Sequence, residues 1–116
     1  MKRRFRLRSS IDFQRVRRFG KSYAHPLVVL IALPNQLEIT RFGFAAGRSV
    51  GKAVQRNRAK RLMRAAVSMH ISTIGPGWDL VLIARRPMAE ASFSQTQTAI
   101  SDLLHRAHLL METYDI

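Results

Sequence analysis

The sequence predicts an α/β (α+β) two-layer sandwich, a small mixed β-sheet packed with helices, and three observations carry that prediction. Short apolar runs bounded by Gly or Pro alternate with longer stretches in which apolar residues recur at helical spacing. Their order along the chain is helix, strand, strand, helix, strand, helix, which layers helices on a sheet. The 116 residues, 47% of them hydrophobic, suffice for one domain spanning residues 1–116 with a real core.

Ser9 opens the first helix, residues 10–19. Its hydroxyl suits an N-cap, and Asp12, three residues on, gives the segment the form of a capping box at the positive helix end. Phe13, Val16 and Phe19 lie along one side as core candidates, Arg15, Arg17 and Arg18 spread over the rest, and Gly20 ends the helix. Between Pro26 and Pro34 the run Leu-Val-Val-Leu-Ile-Ala-Leu is apolar on both faces and reads as a central strand. After a turn at Pro34-Asn35-Gln36, residues 39–46 form a second strand with Phe42 and Phe44 on one face and Arg41 and Gly43 on the other. Gly75-Pro76-Gly77 precedes a third strand, residues 78–84. Ser92 or Ser94 then caps a last helix whose apolar stripe is Ile100, Leu103, Leu104, Ala107 and Met111.

The net charge of +13 is distributed unevenly. Residues 1–64 hold 17 Lys and Arg against Asp12 and Glu38, a net of +15, while residues 65–116 sum to −2. Residues 51–68, GKAVQRNRAKRLMRAAVS, concentrate the basic groups at helical spacing. At about 100° per residue Arg56, Lys60 and Arg64 stack on one face with Asn57 and Arg61 beside them, and Ala59, Leu62, Met63, Ala66 and Met69 fall opposite. A merely solvated face would interleave carboxylates at i,i+4 to relieve repulsion, yet none occurs between Glu38 and Asp79. A helix face left this cationic is a surface for a polyanion.

Other functions are excluded or disfavoured by composition. With no Cys there is neither a disulfide framework nor a thiolate metal site, which fits a reducing cytoplasm. The longest apolar run, residues 27–33, is too short to span a bilayer, so no membrane partner is expected. The basic opening, residues 1–8, lacks a following apolar signal core and reads as mature sequence. The Gly47 to Lys52 segment departs from a nucleotide-binding P-loop, because Ala46 stands where a Gly is required and Ala53 replaces the hydroxyl residue. Its backbone amides, flanked by Arg48 and Lys52, still suit an RNA phosphate. Seven scattered carboxylates offer no acid/base pair and no Ser lies in a nucleophile elbow, so no catalytic residue is assigned. His105 and His108, with Asp102 and Glu112 nearby, form the sole candidate metal cluster; histidines near a helix C-terminus more often serve the helix dipole, and no metal site is assigned.

The string Arg56-Asn57-Arg58-x-Lys60-Arg61-x-x-Arg64, set in GKAVQRNRAKRLMR, resembles the signature helix of the bacterial ribonuclease P protein subunit. The flanks agree: Asp12-Phe13-x-x-Val16 and Gly20 early, Arg41-x-Gly43 before the signature, and Asp79 with an apolar strand and Ala84-Arg85 after it. The resemblance covers nearly the whole chain. It implies a small α/β protein with a left-handed crossover, an exception to the usual right-handed rule. It further implies a protein, monomeric in a 1:1 complex, that binds the catalytic RNA subunit of ribonuclease P and the 5′ leader of precursor tRNA. The active site and its Mg2+ would then belong to the RNA. By the same likeness Arg48, Lys52, Arg56, Asn57, Arg58, Lys60, Arg61 and Arg64 are expected to contact RNA, and Phe13, Arg17 and Ile31 to line a cleft for the leader. Family members often carry aromatics where Arg17 and Ile31 stand and a second Lys at Ser49. Arg17 can stack on a base through its guanidinium plane.

The competing reading is a non-catalytic RNA-binding protein of the ribosome or its assembly, which shares the charge but not the signature helix with these flanks. A DNA-binding regulator would need a helix-turn-helix pair, which the chain lacks.

Overall fold

The structure, a computed structural model, describes residues 1–111. In chain order the elements are α1 (Ser10–Phe19), β1 (Lys21–Ala24), β2 (Val28–Pro34), β3 (Arg41–Ala46), α2 (Ala53–Ser68), β4 (Trp78–Ala84) and α3 (Phe93–Arg106), with short 3-10 turns at Arg3–Phe5, Arg48–Val50 and Arg86–Glu90. The strands form one mixed sheet in the order β1-β2-β4-β3. β1 and β2 are antiparallel, β2 and β4 are antiparallel, and β3 lies parallel to β4, joined to it through α2.

Both central strands are apolar on each face because both faces are covered. Leu30, Phe42, Leu80 and Leu82 face α2 and α3, where Met63, Val67, Ile100 and Leu103 complete the main core. On the reverse face α1 packs through Val16 against Ile31, Val81 and Leu7. The two-layer body of sheet and α2/α3 therefore carries a single helix on its back.

Three local expectations change. Strand β1 was not anticipated, because Lys-Ser-Tyr-Ala is short and polar; it is an exposed edge that pairs through the hairpin at His25, whose Nδ1 accepts from Leu27 N at 3.1 Å. Phe19 is 66% exposed and not core, since α1 crosses β2 at Val16 and its last turn overhangs the sheet. Gly20 does end α1, but with φ −79°, so no left-handed cap demands it. A Cβ there would meet Val16 O at 2.5 Å and Ile31 at 2.7 Å, so the close crossing of helix and strand requires the glycine.

Two apolar stripes also end early. α2 stops at Ser68, leaving Met69 62% exposed, and α3 stops at Arg106. His108, with φ 55°, reverses the chain so that Leu110 bridges Ile74 and Met111 N donates to Thr73 O at 2.7 Å; Met111 is thus outside the helical stripe. Residues 113–116 and Glu112 lie outside the described residues.

α1 is fastened to the sheet by one carboxylate. Asp79, fully buried on β4, accepts from Arg41 Nε at 2.9 Å and Nη2 at 2.8 Å, from Asn35 Nδ2 at 2.9 Å, and from Arg15 Nη2 on α1. Burial pushes this carboxyl's pKa up, but the bonds from Arg41, Asn35 and Arg15 overcome that and hold it below the ordinary carboxylate value. Its stabilising contribution is therefore present above the ordinary Asp pKa of about 3.9 and is lost only as pH falls through the lower folded value. Asp79→Ala should cost about 3 kcal/mol by leaving Arg41 unpaired and Arg15 with Asp12 alone, read as a Tm fall of roughly 10 °C. In the native protein the same loss should begin only below about pH 4. An unchanged Tm for the variant at neutral pH would refute the fastening role.

Candidate nucleic-acid interface

Helix α2 is anchored by Ala59, Met63, Ala66 and Val67, all fully buried, and this fixes which way its cations face. Arg56, Lys60 and Arg64 run along one side, each half-buried, while Asn57 and Arg61 are exposed beside them. Eight residues separate the ends of this row, a length of about 12 Å at the helical rise. Among the described residues none of these groups forms an ion pair; Asp12, Asp79 and Asp102 are engaged with Arg15, Arg41 and Arg106 instead. Arg64 lies over the Phe44 ring, its Cζ 5.5 Å from the centroid.

Arg58 stands apart from this row. It lies about 200° around from Arg56, and its Nη2 donates to Ala91 O at 2.8 Å, tying α2 to the turn before α3. Helical spacing already separates Arg58 from the stripe; what spacing could not supply is its carbonyl partner.

The approach to α2 is built by glycine and glutamine. Gly51 adopts φ 138°, a left-handed conformation that other residues resist, and Gln55 Oε1 accepts from Lys52 N at 2.6 Å to close the first turn. Val50, buried, pins the Arg48–Val50 turn to the core, so Arg48 and Lys52 are presented to solvent at the same end of the helix.

A second surface lies on the other face of the sheet. Phe13 of α1 packs directly on the backbone of Gly43, where a Cβ would come within 2.5 Å of the ring. Beyond it Val29, Ala45 and Ile83 are half-buried on the part of the sheet that α1 leaves open. Arg17 is exposed on α1.

Comparison with known proteins identifies this arrangement. A family model described as Ribonuclease P matches residues 1–108. The ribonuclease P protein component of Roseiflexus castenholzii is 45% identical over 92% of this chain and 88% of that protein. That of Herpetosiphon aurantiacus is 43% identical over 94% of this chain and 89% of its own length. The fold superposes on the Staphylococcus aureus RNase P protein with TM-score 0.84 at 30% identity, covering 91% of this chain and 97% of that one. For the Thermotoga maritima RNase P protein the TM-score is 0.79 at 30% identity, over 87% and 96%. The chain belongs to the ribonuclease P protein family.

Membership makes it a protein component of a ribonuclease that works in tRNA processing with an RNA partner, and displaces the ribosomal reading. Ile31, expected at the leader cleft, is 6% exposed and packs in the core beneath α1 with Leu7, Val16 and Val81. Val29, Ala45 and Ile83 carry no mark of their own in the sequence, because only the placement of α1 leaves this part of the sheet open. No three His, Asp or Glu side chains gather into a metal-holding group among the described residues, and His105 and His108 are exposed. No helix is long and apolar enough to cross a membrane among those residues.

Gly43→Ala should push the Phe13 ring off the sheet and cost about 1–3 kcal/mol by overpacking. Thermal melting reads the cost, and a Gly43→Ala protein as stable as the parent would show that the Phe13 contact yields freely.

Proposed function

We propose that the protein binds the catalytic RNA subunit of ribonuclease P through the cationic side of α2, and the 5′ leader of precursor tRNA between α1 and the open part of the sheet. In doing so it promotes endonucleolytic removal of the leader to give the mature tRNA 5′ end. The observation that carries this reading is a row of cations with no carboxylate partners among the described residues, on the helix whose sequence bears the family signature. Such a row loses stability to self-repulsion and regains it when phosphates neutralise it.

The division of labour follows from the side chains available. Arginine and lysine on α2 bind phosphate oxygens and repel a divalent cation, so Mg2+ is assigned to the RNA, where it supplies charge stabilisation at the scissile phosphate. The protein's own residues bind and position. Arg48 and Lys52 extend the phosphate contacts to the start of α2, Arg56, Asn57, Lys60, Arg61 and Arg64 supply the main face, and Arg58 contributes the donors not given to Ala91. Phe13 and Arg17 border the leader cleft, where stacking on unpaired bases needs no particular sequence. The protein acts as a monomer with one RNA in the cytoplasm.

Cleavage of a 5′-extended precursor tRNA by the RNA subunit at limiting Mg2+ tests the reading. Wild type should accelerate the reaction, and Arg56→Ala/Lys60→Ala/Arg64→Ala should bind the RNA about a hundredfold less tightly, with a salt dependence shallower by roughly two to three contacts. Acceleration by the triple variant equal to wild type would refute the role of α2. For the cleft, Arg17→Ala should weaken binding of substrate carrying a leader several-fold while leaving mature tRNA unaffected; equal losses on both would remove Arg17 from it.

A further inference from the structure

The basic N-terminal segment is fixed in place. Phe5 packs on the main core and Leu7 is buried in the second one. Between them Arg6 forms a parallel bridge with Phe42, and Leu7 N donates to Phe42 O at 2.8 Å. The segment thus runs along the outer edge of β3, the strand whose Phe42 and Phe44 face α2. This places Arg6 beside the end of the α2 row.

Arg64, the last cation of that row, sits in an uncomfortable position. Its guanidinium is stacked over Phe44, and its Nε is shut away from solvent with no hydrogen-bond partner. Desolvation, followed by the nearby charge of Arg6, pulls its pKa down from the usual arginine value. Neither Arg6 nor Arg64 has an acidic partner among the described residues. Glu38 is the one carboxylate lining the adjoining groove, with Arg4 and Phe5, and it pairs with no arginine.

Two neighbouring guanidinium groups, one of them desolvated, are each destabilised by the other, and an anion with at least two acceptor oxygens relieves both. A phosphodiester has that form, and the planar donors of arginine match it better than an ammonium would. We infer that Arg6 and Arg64 together hold one backbone phosphate of the RNA, so that the N-terminal segment carries the RNA-binding face of α2 across the edge of β3. The inference rests on the proposed RNA-binding function and adds to it a residue and a direction: the RNA continues past the end of the α2 row toward Arg4 and Arg6.

The test uses the full chain and transcribed ribonuclease P RNA, with Arg6→Gln, Arg64→Gln and the double variant, each first checked by thermal melting for a folded state. Each single change should weaken RNA binding about five- to tenfold and reduce the salt slope by about one contact. The double variant should lose little more than the worse single, because the two side chains share a phosphate. Arg6→Lys should recover only part of the loss. Wild-type affinity and slope for Arg6→Gln, or a double-variant loss equal to the product of the singles, would overturn the shared site. Inorganic pyrophosphate, followed through the Arg64 Nε–H resonance, separates the sources. A shift abolished by Arg6→Gln while RNA affinity stays unmoved would mark a free-anion site and overturn the RNA assignment. Failure of the broader reading would look different, since wild type itself would then neither bind the RNA nor accelerate cleavage.

Discussion

The Asp79 carboxylate is the constraint on which the rest of this architecture hangs. Burying a charge in a sheet is costly unless every lone pair finds a donor, and Asp79 accepts four hydrogen bonds, from β3, from the turn after β2 and from α1. Without it α1 would rest on the back of the sheet through little more than Phe13 and Val16. The ionic contact at one end and the Phe13–Gly43 contact in the middle together fix how far α1 stands from the strands. The spacing between α1 and the open part of the sheet is therefore set by the Asp79 network together with the Phe13–Gly43 contact.

The opposite face solves a different problem. A helix carrying Arg56, Lys60, Arg61 and Arg64 without carboxylates nearby repels itself, and its isolated propensity would not hold it. What holds it is apolar burial on the other side, with Ala59, Met63, Ala66 and Val67 fully covered. Packing thus supplies the free energy that keeps the cations in one geometry. A partner that neutralises them then meets a surface already ordered, which spares the entropy of arranging it on binding.

Much of this was legible in the sequence where local chemistry and periodicity agree. Ser9 and Gly20 bound α1 at the residues expected, β4 occupies residues 78–84 as read, and the apolar run after Pro26 is a central strand. The misses share a cause: periodicity reports that a face is apolar, not what meets it. Phe19 and Met69 continue apolar patterns beyond the point where a neighbour covers them, and Ile31 looks like any strand residue until α1 is laid over it. Strand β1 and the N-terminal segment carry too little apolar pattern of their own; they are ordered by pairing with β2 and β3.

The burial of Ile31 and the exposure of Arg17 bear on how a leader strand would be held. If aromatics at both positions were required, the cleft would be a stack of rings reading base faces from two sides. Under the proposed reading the floor would be aliphatic, formed by Val29, Ala45 and Ile83, and the rim would carry the Arg17 guanidinium beside the Phe13 ring. An aliphatic floor excludes water from a base without fixing its orientation, and a guanidinium serves both as a stacking plane and as a phosphate ligand. Such a cleft depends more on charge than an aromatic one does, so within this family its grip on the leader should weaken more steeply with salt.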